Sequence, residues 1–185
     1  MELLRDIAAD GYPTDYLVAR VRGRRAALSG GQRPPLAEAA SDEAVWGALL
    51  AEFDWLRRQM DPPLREMFAP VFMLFGLKTL VLSLRNKAAG RDATVDRLLR
   101  HELFADELRE ALAGAADANA AVSVVAAVLG GAPGGAAGLA AAYAADGLKG
   151  LEARVMRDFL ASVLAARMPR AVRGFFVAFI DLRNV

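Results

Sequence analysis

The spacing of the apolar residues is the feature that most constrains the fold of this chain. After a predicted helix start at Thr14, for example, Leu17, Val21 and Leu28 recur at intervals of four and seven residues, which is typical of one face of a helix. The aliphatic run 77–84 is the nearest candidate for a strand, but it lacks turn signals on both sides. The pattern therefore predicts an all-α fold, with short loops that favour antiparallel packing into small bundles.

Proline, glycine and short polar side chains divide this pattern into helices. Ser41 predicts a helix start because its hydroxyl can cap a backbone N–H, and Pro70 predicts a kink because proline removes a hydrogen-bond donor. Four predicted helices cover residues 14–28, 41–60, 64–84 and 151–168. Another begins at Asp92 or Thr94 and carries Leu103, and one lies around Leu108 and Leu112. The last helix begins at Pro169, and its apolar face is Val172, Phe175, Phe176, Phe179 and Ile180.

An uncharged stretch of 28 residues, 118–145, raises the question of a membrane span. It is mostly alanine and contains the sequence GGAPGG at residues 130–135, so two short helices around a turn are the preferred interpretation. Asp146-Gly147 is predicted to end this pair. The N-terminus lacks the basic flank and long apolar segment of a secretory signal, so we expect a cytoplasmic protein.

The two halves of the chain resemble each other. Residues 41–60 and 92–112 are both helices that begin with acidic residues, and each half also contains a phenylalanine-rich segment with an Arg-Asn pair, Arg85-Asn86 and Arg183-Asn184. We therefore predict a first helical unit over 1–91 and a second over 92–185, forming one continuous structural domain.

Few residues are available for catalysis or metal binding. The chain has no cysteine and one histidine, His101, which lies between Arg100 and Glu102 on a charged segment. Gly76-Leu77-Lys78-Thr79 lacks the glycines of a phosphate-binding loop. We expect no catalytic residue, no metal and no cofactor, and hence no enzyme.

Charged residues offer two further candidates. The 23 basic and 22 acidic residues leave a formal net charge of +1, which argues against a protein that coats polyanions. Arg20, Arg22, Arg24 and Arg25 form a local basic cluster, but at 100° per residue only Arg20 and Arg24 share a helix face. This cluster is either a solvated face or a contact for an acidic partner. Asp181 and Asn184 lie one turn apart, either as a helix-end pair or facing a groove.

Three segments resemble the C subunit of the bacterial and archaeal V/A-type rotary ATPases (ATP synthases), a relative of the d subunit of the vacuolar ATPase. The stretch YLVARVR from Tyr16 is similar to the opening helix of that family, and GLKGLE from Gly147 is similar to the entry to its long helices. FIDLRNV from Phe179 resembles the family's repeated Asp-x-x-Asn-aliphatic motif. An earlier copy of this motif, at residues 73–79, keeps the lysine of the family as Lys78. It has Met73 and Gly76 where the family has aspartate and asparagine, and its arginine, Arg85, lies further along the chain than in the family.

The resemblance implies a function without bond-making chemistry. Members of the family are all-α adaptors of three related helical units, of which this chain holds about two, with the third apparently lacking. The family adaptor sits on the membrane proteolipid ring and receives the D and F subunits of the central shaft in a polar cavity. The resemblance thus implies a central-stalk adaptor in proton or sodium transport, peripheral to the inner face of the cell membrane and without a nucleic-acid partner. Its expected cavity or partner-binding residues are Arg20, Arg24, Arg85, Asp181 and Asn184.

The basic cluster supports an alternative function. A free-standing helical regulatory or nucleic-acid-binding module would use the segment from Arg20 to Arg25. Binding to DNA or RNA through these side chains would weaken steeply with salt, which separates this alternative from the adaptor.

Overall fold

Eight α-helices make up the architecture in the computed structural model, which describes residues 4–5, 7, 10–29, 41–99, 103–129 and 135–183. In order they are α1 (Thr14–Ser29), α2 (Asp42–Gln59), α3 (Pro62–Ala88), α4 (Asp92–Leu99), α5 (Asp106–Ala113), α6 (Ala118–Leu129), α7 (Gly135–Ala165) and α8 (Arg170–Arg183). The described residues form no strand, only two isolated bridges, so the all-α prediction is confirmed. The run 77–84 lies within α3 and is helical.

Side-chain caps start both α2 and α3. Ser41 begins α2 by accepting a hydrogen bond from the backbone N–H of Ala44 at 3.2 Å, as predicted. Asp61 does the same for α3, because its carboxylate accepts from the N–H of Leu64 at 2.9 Å. Pro62 is the first residue of α3, two residues earlier than the predicted start. The missing N–H of proline is harmless in the first turn of a helix, and α3 continues past Pro70.

The core is built around α3. This helix packs against α2, α4, α6, α7 and α8, and eleven of its residues are buried. It contributes residues along its length to a large apolar cluster that also includes Leu17 of α1, Leu50 of α2 and residues of α4 to α7, and Leu74 joins a second cluster with α7 and α8. Each fully buried leucine contributes about 1.5–3 kcal/mol of transfer free energy. The largest buried side chains are Phe72, Phe104, Phe176, Leu50, Leu74, Leu80, Leu84, Leu103, Leu108 and Leu151.

The large cluster runs across the predicted boundary between residues 91 and 92. It includes Leu77, Leu80 and Leu84 from α3 together with Val95 and Leu99 from α4. Residues on both sides of the predicted boundary therefore share one apolar core, and the division of the chain into units 1–91 and 92–185 stays a prediction.

The two limbs of α7 form a helical hairpin. Gly147 has φ 62° and ψ −149°, a backbone conformation open essentially to glycine alone, so Asp146-Gly147 ends the first limb as predicted. A Cβ atom on Gly150 would lie 2.4 Å from the carbonyl oxygen of Ala142. One on Gly138 would lie 3.6 Å from the guanidinium of Arg154. In both pairs the two residues are equally far from residue 146 in the sequence. The segment after Asp146-Gly147 therefore runs back antiparallel to the segment before it.

The alanine-rich stretch forms two helices, α6 and the first limb of α7, as predicted; residues 130–134 lie outside the described part of the chain. In the described residues, only α3 is long and apolar enough by composition to cross a membrane, with a mean hydropathy of 1.9 in its most apolar window. Half of that window is buried inside the protein.

The N-terminal segment ties α2 to the connection between α4 and α5, a contact that no sequence pattern predicts. The N–H of Arg5 donates to the carbonyl of Leu103 at 3.0 Å, and the N–H of Tyr12 donates to the carbonyl of Gln59 at 2.7 Å. Gly11 has φ 65°, and a Cβ atom there would lie 1.9 Å from the Met60 carbonyl oxygen. Glycine is therefore required where this segment crosses the end of α2.

Three apolar residues of predicted helix faces are exposed. Val21 of α1 is 42% exposed, and Val45 of α2 and Phe175 of α8 are also exposed. Leu17 is buried, and the side chain of Leu28 lies outside the described residues. In each of these helices the neighbouring elements cover only part of the apolar face, so some of its apolar side chains stay exposed.

Candidate functional site

A groove of about 340 Å³ lies where α2, α3, α7 and α8 meet. Most of its walls are apolar, and three charged side chains reach it. The α3–α8 groove, as we call it, is lined by Trp46, Lys78, Val81, Leu82, Arg85, Glu152, Met156 and Phe179. Clefts of this size with a few polar groups among apolar walls are typical of ligand and partner sites.

Two cations come from one face of α3. Lys78 and Arg85 are seven residues apart, which is close to two helical turns and about 10 Å along the axis. Val81 and Leu82 lie between them and form the apolar floor. The helical repeat alone therefore places a positive charge at each end of an apolar surface.

Aromatic rings hold the ammonium group of Lys78. Its Nζ atom lies 4.8 Å from the ring centroid of Phe179 on α8 and 5.6 Å from that of Phe75 on α3. Both distances are within the range of cation–π attraction. Lys78 thus connects α8 to α3 at the edge of the groove.

An ion pair between Arg85 and Glu152 joins α3 to α7 at the groove. The two side chains are 56% and 30% exposed, so water screens the pair and its net contribution to stability is small. Leu151, the neighbour of Glu152, is buried in the core. The glycine-dependent hairpin of α7 therefore sets the position of the Glu152 carboxylate.

A hydrogen bond to a buried threonine of α3 fixes Trp46 in the groove wall. The indole Nε1–H donates to the hydroxyl of Thr79 at 2.9 Å, and that hydroxyl donates to the carbonyl of Phe75 at 2.8 Å. Thr79 is fully buried, so the two bonds satisfy a hydroxyl that has no access to water.

Arg20 lies in a different place, between α1 and α2. Its guanidinium carbon is 5.8 Å from the ring centroid of Tyr16 and 5.5 Å from that of Trp55, and its Nη1–H donates to the Tyr16 hydroxyl at 3.3 Å. Arg24 lies one turn further along α1, and its side chain is outside the described residues. Arg20 is therefore part of the contact between α1 and α2 and does not line the α3–α8 groove.

The remaining predicted residues lie at the end of α8. Asp181 is exposed two residues beyond Phe179, and Asn184 lies outside the described residues, so their pairing stays a prediction. Of the predicted site residues whose side chains the structure describes, only Arg85 lines the groove. The sequence does not single out Trp46 or Phe179 as groove residues, because each belongs to an ordinary apolar helix stripe.

A shallower depression of about 310 Å³ lies between α4 and α5. Asp106 in its wall forms an ion pair with Arg109, and its Oδ2 atom lies 3.8 Å from Nη2 of Arg5. No group of three or more potential metal ligands occurs among the residues that the structure describes. His101 lies outside the described residues.

Comparison with known proteins finds no counterpart for this arrangement. No model of a protein family, no curated protein and no solved structure matches the chain.

Proposed function

We propose that this protein is a non-catalytic central-stalk adaptor of a V/A-type rotary ATPase, which couples the rotor shaft to the membrane proteolipid ring in proton or sodium transport. Its partners would be the D and F shaft subunits and the ring, at the inner face of the cell membrane. The proposal includes an arrangement of two related helical units like those of the family adaptor. It rests on the sequence resemblance and on how the resembling segments pack.

The contact between Lys78 and Phe179 carries the proposal. Lys78 belongs to the earlier copy of the repeated motif and Phe179 opens the later copy, yet their side chains lie 4.8 Å apart, measured from Nζ to the ring centroid. Segments that are far apart in the chain thus meet at the α3–α8 groove. Such convergence is what a partner site formed between two related units requires.

The packing of the helices supports a role in force transmission. A protein that passes torque must deform little under load, and close-packed interiors have low compressibility. Here α3 runs through the core and contacts helices from both predicted units, and aromatic rings of Phe53, Phe72 and Phe75 pack against one another. Arg85 and Glu152 add an ionic contact between α3 and α7.

Binding of purified partners tests the proposal. The chain would be immobilised and exposed separately to a D–F shaft complex and to a detergent-solubilised proteolipid ring from a V/A-type ATPase. We expect submicromolar binding to at least one, and Arg85→Glu should weaken binding to a groove partner by about tenfold or more because it reverses a charge in the groove. Arg154→Glu, which reverses an arginine of another exposed ion pair, is the matched control and should bind normally.

Failure of both partners to bind the unmodified chain would refute the adaptor. The alternative, a nucleic-acid-binding module, is tested with the same immobilised protein. DNA or RNA binding that falls steeply with salt and is lost in Arg22→Gln/Arg25→Gln would favour that module. Both arginines are exposed on α1, and the double variant leaves the packing of the Arg20 guanidinium against its two aromatic rings in place.

A further inference from the structure

We propose that α8 is a lid over the cleft between α3 and α7, and that it opens as one unit while the rest of the protein stays folded. This motion is a property of the chain alone and is independent of the adaptor function. The reason is that α8 is attached differently from the helices that form the large apolar cluster.

A small apolar cluster of its own holds α8 to the protein. Its buried members are Val172 and Phe176 of α8, Leu74 of α3, and Met156 and Val163 of α7. In the described part of the chain, no residue of α8 belongs to the large cluster or packs against it. The contacts within the large cluster are therefore kept when α8 moves away. Proteins open in contiguous cooperative units, and a helix with a separate cluster is such a unit.

One narrow face of α8 makes these contacts. Val172, Phe176 and Phe179 are spaced by four and three residues, which places them on the same side of the helix. Nine of the thirteen residues of α8 whose burial is described are exposed, among them Phe175 and Leu182. Most of the helix surface is thus in water already, so undocking moves few further side chains of α8 into water.

The two ends of α8 are held in different ways. Its N-terminal end continues from α7 through residues 166–169, and Nη2 of Arg173 donates to the carbonyl of Ala166 at 3.1 Å. Near its other end, the Nζ atom of Lys78 lies 4.8 Å from the ring centroid of Phe179. The covalent connection is the hinge, and the contact with Lys78 is the latch. Because Phe179 also lines the α3–α8 groove, opening the lid removes part of the groove wall.

Thiol labelling of the full-length chain measures the opening. The chain has no cysteine, so one introduced thiol is the only group that reacts with a water-soluble disulfide reagent. Val163→Cys places this thiol beneath α8, and Val155→Cys places it on the same helix in the large cluster. The two valines are 5% and 6% exposed, so the closed protein protects both positions equally. We expect Val163→Cys to react at least tenfold faster, and equal rates would overturn the lid.

A substitution in the docking face should act on one position and not on the other. Phe176→Ala, added to each cysteine variant, should raise the rate at residue 163 at least tenfold, because Phe176 is fully buried against the cleft. The rate at residue 155 should stay the same. Val177→Ala is the matched control, since Val177 is 45% exposed, and should change neither rate. An equal rise at both positions in Phe176→Ala would show that α8 and the large cluster unfold together, which overturns separate opening.

Substitution of the latch distinguishes opening of the lid from fraying of α7. Val163 lies two residues before α7 ends, so fraying there would also expose its thiol. Lys78 contacts the far end of α8, so Lys78→Gln should raise the rate of Val163→Cys about threefold by weakening the latch. Lys149→Gln, which removes an exposed lysine of α7, is the matched control and should leave that rate unchanged. The same rate with and without Lys78→Gln would assign the reactivity to fraying and refute the lid, even if Phe176→Ala fails to fold.

Discussion

Helices α1 and α3 show how differently two segments with similar residues are used. Both combine aliphatic and basic side chains, and the apolar spacing predicts both as helices. Yet α3 buries eleven residues, whereas Leu17 is the one buried residue among the described side chains of α1. Periodicity therefore predicts that a segment is helical, but how much of it is covered depends on the number of neighbours that pack around it.

The basic side chains of α1 and α3 also differ in how many other helices surround them. On α3, Lys78 and Arg85 reach a groove that four helices form, and both contact side chains of other helices. On α1, Arg20 lies against Tyr16 of its own helix and Trp55 of α2. The surrounding elements, more than the local charge density, make α3 the better candidate for a ligand or partner site.

Truncation of a core leucine should separate the two helices most clearly. Leu80→Ala in α3 should lower the free energy of unfolding by about 3 kcal/mol, because Leu80 is 1% exposed and its removal leaves a cavity. Val21→Ala in α1 should change it by less than about 0.5 kcal/mol, since Val21 is 42% exposed and lies outside the core. Urea denaturation followed by circular dichroism measures both, and equal losses would show that Val21 is as closely packed as Leu80.

Substitution of Gly11 should detach α1 from α2. In Gly11→Ala the new Cβ would overlap the Met60 carbonyl oxygen, and φ 65° is strained for alanine, so we expect a loss of about 2 kcal/mol. Hydrogen exchange should quicken at the N–H groups of Tyr12 and Asp61, which pair across this crossing, while α3 stays protected.

The matched control is Gly23→Ala, at a site in α1 with open space around it. Alanine is the better helix former, so this variant should be stabilised by up to about 1 kcal/mol. A Gly11→Ala protein as stable as the unmodified chain would mean that the N-terminal crossing does not hold α1.

Much of the fold is predictable because its signals are local. Ser41 and the Asp146-Gly147 pair mark helix ends through capping and backbone conformation, and both act within a few residues. The pairing of Arg5 with Leu103 and of Tyr12 with Gln59 is not predictable, since nothing in either segment specifies a distant backbone partner.

The candidate site is predictable only in part. Arg85 is predicted as a site residue from the resemblance of its segment to the repeated motif of the adaptor family, whereas Lys78, in the same segment, is not predicted as one. Phe179 opens the later segment that resembles this motif, but like Trp46 it is not marked as a groove residue, since a core aromatic residue and a groove aromatic residue occupy the same helix stripe. Which of them lines an open space is decided by the packing of α2 and α8 against α3, a property of distant segments.

Loss of the indole donor should affect α3 moderately. Trp46→Phe removes the hydrogen bond to the Thr79 hydroxyl, and we expect a loss of about 1 kcal/mol because that hydroxyl still donates to the Phe75 carbonyl. A double-mutant cycle with Thr79→Val, measured by urea denaturation, isolates the bond, and the coupling between the two changes should be about 1 kcal/mol. Additive effects would contradict a hydrogen bond between these side chains.

The smallest effect is expected where α1 meets α2. Arg20→Gln removes the cation over the Tyr16 and Trp55 rings, and because this site is exposed to water we expect a loss of about 0.5 kcal/mol in urea denaturation. Arg22→Gln is the control, because Arg22 lies two residues further along the same helix and is exposed. Its substitution should leave the free energy of unfolding unchanged. A loss above about 2 kcal/mol in Arg20→Gln would place this arginine in a role comparable to the core residues of α3. The contrast between α1 and α3 would then fail, because an exposed cation of α1 would matter as much as a core residue of α3.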